Sequence, residues 1–211
     1  MATIAAAGPV DQSITASASY ERFAGVCAIL TGVVGFVYSV AFVILKSVPL
    51  QSACLVLAGL LGTATLVAVY ARLRETDASF ALLALFLGIA GALGSAIHGG
   101  YDLANALHPP AVVNADLPSA IDPRGLLTFG VAGLSLWVVA WLIARGNAFP
   151  KGLGYLGYVT AALLIITYLA RLIVLDATNL LVVGPALVTG FVASPVWYIW
   201  LGRTLWRGAR A

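Results

Sequence analysis

The stretch GIAGALGSAIHGGYDLANALHPP, residues 88–110, holds both histidines of the chain, His98 and His108, and sets Asp102 four residues after His98. A step of four places two side chains on one helical face, one above the other. An imidazole, whose ordinary pKa is about 6.5, is thereby put beside a carboxylate, a pairing suited to proton-sensitive binding. Arg171 and Asp176 lie near the end of a later apolar run, and Arg124 near the start of another, where the helix dipole also favours an anion. His98, Asp102, Arg171, Arg124 and Asp176 are the candidate ligand-binding residues. A charge within a bilayer costs about 2.5–3.5 kcal/mol even on lenient scales and is normally paired. Asp102 with Arg171 is the pair expected.

Sharper chemistries fit less well. Ser95, His98 and Asp102 have the residue types of a hydrolase triad, but nothing nearby supplies an oxyanion hole. His98, Asp102 and His108 form a weaker candidate metal set, because catalytic zinc usually takes three protein ligands and His108 lies in a proline-bound loop. Haem with two axial histidines would need both on spans, and only His98 is on one. GLGYLG, residues 152–157, matches G-x-G-x-x-G but opens an apolar helix and follows no strand, so it fails as a dinucleotide motif. No catalytic residue and no cofactor is assigned, and the pattern favours a binding protein over an enzyme.

These residues must be positioned by membrane helices. The 211-residue chain is 62% hydrophobic and 9% charged, far from the composition of soluble domains. Apolar runs over about 22–46, 50–72, 79–103, 124–145, 152–175 and 180–206 each reach the length that crosses a bilayer core. The expected fold is an all-α polytopic membrane protein, a bundle of six transmembrane helices over 22–206. Residues 1–21 and 207–211 are expected to be tails. The first 20 residues lack the charged start and apolar core of a signal peptide.

Arg22, Arg72, Arg74, Arg145, Lys151, Arg203, Arg207 and Arg210 fall on the side of the two termini, against Lys46, Arg124 and Arg171 on the other. This bias puts both termini in the cytoplasm. Tyr70, Trp141, Tyr155, Tyr158, Trp200 and Trp206 form an aromatic belt on that side. The basic balance reports orientation in the bilayer, and no nucleic acid is implied. Cys27 and Cys54 fall at different depths, too far apart for a disulfide.

One connection is long. Residues 104–123 carry Pro109, Pro110, Pro118 and Pro123, and end in IDPRG, where Asp122 suits an N-cap and Pro123 a first helical position. Gly88, Gly91, Ser95, His98 and Asp102 follow steps of three and four, as do Gly157, Thr160, Leu164, Thr167 and Arg171. Small residues at that spacing mark helix contacts, so the polar members of both stripes should point into the bundle. Pro185 and Pro195 should bend the last span.

ERFAG near the start, GYLGY in the fifth span and PVWYIWLGR near the end resemble small six-helix bacterial membrane proteins of a domain-of-unknown-function family. That resemblance implies a six-helix fold and brings no activity or site residue with it. The expected protein binds or passes a small ligand, ion or lipid through an outward-facing polar pocket in a bacterial inner membrane. Its partners are the bilayer and that ligand, with a homo-oligomer or a membrane partner subunit as a further expectation. The alternatives are an assembly subunit whose polar residues clamp helices together, and an intramembrane enzyme or metal-binding protein.

Overall fold

Each apolar run forms a helix long and apolar enough to cross a membrane: α1 Ala18–Leu45, α2 Val48–Leu73, α3 Ala78–Leu107, α4 Pro123–Arg145, α5 Lys151–Val174 and α6 Leu180–Gly208. The computed structural model describes residues 16–109, 123–174 and 179–208, and among them there is no strand. The expected all-α architecture of six spans is what the chain adopts.

Local signals explain the ends. Ser17 accepts the Tyr20 amide and starts α1 four residues ahead of the apolar run. Asp77 accepts the amides of Ser79 and Phe80 at the head of α3, and Asn179 accepts that of Leu181 at the head of α6. Such caps satisfy amides that no helical carbonyl can reach. Pro123 opens α4, as its position predicts, while the expected cap Asp122 lies outside the described residues. α3 runs a turn beyond its expected end, to Leu107, because no breaker precedes His108 and the two prolines after it. Asp102 therefore sits inside the helix.

Connectors alternate between the ends. α1 turns into α2 through Lys46, the one described non-glycine residue with positive φ (50°), and Ser47. Each helix packs on its sequence neighbours and α6 returns to α1, closing an up-and-down ring. At that closing seam Gly25 and Gly202 face each other. A Cβ on Gly202 would come 2.5 Å from the Gly25 carbonyl oxygen, and one on Gly25 2.9 Å from that of Gly202. The other seams also use small residues: Gly99 of α3 lies against the Ser52 carbonyl of α2, and Gly154 of α5 against that of Ala140 in α4.

The core is one-ended. Its cluster of buried side chains includes Ala24, Leu73, Leu142, Ile143, Leu153, Leu201 and Leu205, all in the half that carries α1's start and α6's end. That terminal end is also tied by charge. Arg72 donates from Nε and Nη2 to the two carboxylate oxygens of Glu21 at 2.7 and 2.8 Å, and its guanidinium lies 5.5 Å from the centre of the Phe149 ring. Lys151 caps the end of α4 by donating to the carbonyls of Ala144 (2.8 Å) and Gly146. Among the described residues the opposite, far end carries no comparable buried cluster and no bidentate bridge. Cys27 and Cys54 are both buried and free.

Three short π-helical segments interrupt the helices: Ala41–Leu45 at the end of α1, Leu126–Val131 in α4 and Thr189–Ala193 in α6. The last precedes Pro195, whose missing amide proton breaks the regular ladder. The Ser194 amide reaches Thr189 O instead. The bend expected from Pro195 is thus taken up by a widened turn.

Candidate functional site

α3 and α4 meet along an antiparallel ladder. Gly88 lies against Ser135, Gly91 against Ala132, Gly94 against Leu127, His98 against Thr128 and Asp102 against Arg124. The stripe at steps of three and four faces a neighbouring helix, and its upper rungs carry the polar groups. His98 Nε2 is 3.4 Å from Asp102 Oδ2, and His98 Nδ1 is 3.4 Å from Thr128 Oγ1. Arg124 Nη1 is 3.4 Å from Asp102 Oδ1, and its guanidinium sits 4.1 Å from the centre of the Tyr101 ring. Within this group Asp102 and Arg124 cancel each other's charge.

Arg171 takes a different place. Among the described residues Asp102 forms its ion pairs with His98 and Arg124, not with Arg171 as the sequence led us to expect. The reason is topological, since α4 stands between α3 and α5 in the ring. Arg171 instead lines a cavity of about 260 Å³ at the far end, walled chiefly by α1, α5 and α6. Asp176 lies outside the described residues. His108 is the cap residue just past the end of α3, and its side chain is exposed. No group of three His, Cys, Asp or Glu side chains among the described residues converges to hold a metal ion, so His98, Asp102 and His108 do not form one.

The Arg171 cavity is mostly apolar, with Phe42, Val43, Phe129, Leu164, Val182 and Phe191 in its walls. Residues from all three π-helical segments line it: Phe42 and Val43, Phe129, and Thr189, Gly190 and Phe191. Three of its hydroxyls are turned to their own helices. Ser39 donates to Gly35 O (3.1 Å), Thr167 to Leu163 O (2.7 Å) and Thr189 to Pro185 O (2.7 Å). Such hydroxyls offer a ligand only lone pairs. The other polar side chains in its lining are the Tyr38 phenol and the Ser194 hydroxyl, which make no hydrogen bond among the described residues, and the Arg171 guanidinium. Tyr38 lies within electrostatic reach of both Arg171 and Asp102.

A second cavity of about 190 Å³ occupies the centre of the ring and is lined by all six helices. The two share Gly35, Leu55, Leu164 and Ser194 as walls, so they are neighbours across one thin partition. Gly35 leaves open space there, for a Cβ on it would meet nothing within 4 Å. Ser95, the serine of the triad pattern, lines the central cavity and donates to Gly91 O at 3.0 Å. The three glycines of GLGYLG serve packing: Gly152 receives the Trp200 ring, Gly154 the α4 backbone, and Gly157 the Trp197 indole.

Comparison with protein-family models, with curated proteins and with solved structures returns no match. Tyr38, Thr128 and the Glu21–Arg72 bridge were not singled out by the sequence. Thr128 had a usable signal, since it follows Arg124 by four residues and shares its face.

Proposed function

We propose that this chain is a membrane-embedded binding protein that takes a small amphipathic ligand into the far-end cavity, with its hydrogen-bond-accepting head at Arg171 and Tyr38. The observation that carries the reading is the cavity itself: mostly apolar walls, the Tyr38 phenol and the Arg171 guanidinium in its lining, and three widened helical turns around it. π-Helical turns interrupt regular hydrogen bonding and occur frequently at functional sites. By the same measure an apolar cavity of about 150 Å³ holds benzene, so this one admits a larger molecule. The excess of Arg and Lys at the terminal end supports a cytoplasmic position for both termini and an outward-facing mouth.

The test is native mass spectrometry of the protein released from its own membrane in gentle detergent. A retained small mass that is lost in Arg171→Gln and in Gly35→Phe supports the reading. A bare polypeptide under every release condition overturns it.

A second reading is favoured by one observation. His98, Asp102, Arg124 and Thr128 join α3 to α4 with their charges largely answered within the group. That arrangement suits the structural clamp of an assembly subunit, and it assigns ligand contact to Arg171 and the clamp to Asp102.

A further inference from the structure

At the terminal end an open groove of about 750 Å³ runs along the outside of α6, with Pro150 and Arg72 on its opposite wall. Val196, Ile199, Trp200, Arg203, Thr204 and Arg207 line it at steps of three and four, so they form one continuous stripe. The stripe is graded. Its first members, Val196 and Ile199, are apolar and lie toward mid-span. Trp200 follows, its ring seated over Gly152, and Arg203 and Arg207 finish it one turn apart.

The charge of the groove has one sign. Among the described residues its lining includes Arg72, Arg203 and Arg207 and no carboxylate. Arg72 is answered by Glu21 through two hydrogen bonds. Arg203 and Arg207 are exposed and form no ion pair or hydrogen bond among the described residues. Pro150 immediately precedes the first turn of α5, so the positive end of that 24-residue helix adjoins the same wall. Two unanswered guanidiniums beside a helix start, above an aromatic ring and an apolar strip, reproduce in reverse the profile of a phospholipid: phosphate, glycerol level, acyl chain. Basic recesses between helices on the cytoplasmic side are where anionic headgroups are held.

We infer that this groove is a binding site for one anionic phospholipid, its phosphate between Arg203 and Arg207 and its acyl chains along Trp200, Ile199 and Val196. The site is separate from the far-end cavity and does not rest on the function proposed for it. Guanidinium suits the task because it meets phosphate oxygens with two parallel donors.

The experiment is a lipid titration read by native mass spectrometry, using phosphatidylglycerol and phosphatidylcholine with identical chains on the full-length protein in detergent. The wild type is expected to retain phosphatidylglycerol in preference to phosphatidylcholine. In the double variant Arg203→Gln/Arg207→Gln the preference should fall by roughly tenfold or more, at about 1 kcal/mol per basic residue near the surface. Both side chains are exposed, and circular dichroism checks that the variant keeps its helices. Arg74→Gln, a terminal-end cation outside the groove, should leave the preference intact. Equal retention of the two lipids, an unchanged preference in the double variant, or an equal loss in Arg74→Gln would each overturn the assignment. Displacement of the lipid by millimolar inorganic phosphate would make the groove a free-anion site and overturn it as well.

Discussion

Arg124 on α4 reaches Asp102 on α3 at 3.4 Å while its guanidinium lies over the face of Tyr101, one residue before its own partner. The aromatic ring and the carboxylate thus hold the same cation from adjacent positions. Cation–π contact and an ion pair on one guanidinium restrict it more than either does alone.

If the pair is a clamp, breaking it costs stability. Asp102→Asn and Arg124→Gln should each lower the thermal midpoint in detergent, by an amount on the order of 1 kcal/mol for a partly exposed pair. The double variant should cost less than the sum of the singles, leaving a coupling of about 0.5 kcal/mol or more. Strict additivity in the cycle would show that the two groups do not act on each other.

Two glycines of the same helix should respond oppositely. Gly25→Ala drives a methyl group into the Gly202 backbone across the α1–α6 seam, and neither side has a flexible chain to yield. A loss of about 1–3 kcal/mol is expected from such overpacking. Gly35→Ala meets open space and should be neutral or gain up to about 1 kcal/mol in helix propensity. Matched unfolding curves of the two variants decide it, and equal losses would contradict the seam.

Trp197 donates its indole proton to Leu153 O at 3.1 Å in a buried contact between α6 and α5. Trp197→Phe leaves most of the packing and removes that donor, at a cost of about 1 kcal/mol. Tryptophan fluorescence would follow the loss together with the thermal midpoint. A Phe variant as stable as the wild type would show that the bond is dispensable.

Lys46 holds a left-handed backbone conformation (φ 50°, ψ 37°) at the turn between α1 and α2. That conformation costs an ordinary residue about 1–2 kcal/mol and costs glycine almost nothing. Part of the relief is offset by the greater freedom of glycine in the unfolded chain. Lys46→Gly should therefore raise the thermal midpoint slightly, whereas Lys46→Val should lower it by more. The reverse order would rule out strain at this turn.

The six spans were legible because apolar runs of bilayer length are unambiguous, and the inward stripe on α3 because Gly88, Gly91, Ser95, His98 and Asp102 keep one helical period. What the period could not supply was the partner of Asp102. Arg171 and Arg124 both lie toward the same end of the bundle, and depth alone does not separate them. Adjacency does, since α4 follows α3 in chain order and lies next to it in the ring, so Arg124 meets the carboxylate and Arg171 stands one helix farther round. The Glu21–Arg72 bridge had the same signal: an acid in the first turn of α1 and a base in the last turn of α2, which the short Lys46–Ser47 turn brings to one end. The π-helical turns were harder. Pro195, two residues past Thr189–Ala193, announces one of them, but the widenings at Leu126–Val131 and Ala41–Leu45 have no proline within two residues of either end.

The meeting of Gly25 with Gly202 also fixes an order of events during biosynthesis. The groove that Gly25 leaves on α1 is present once that helix enters the membrane, yet its occupant is α6, made after four others. Throughout translation of the intervening helices that backbone strip has to be sheltered by lipid or by the insertion machinery. A side chain at Gly202 would leave the ring open when α6 arrives, and incompletely packed chains are triaged by chaperones and proteases.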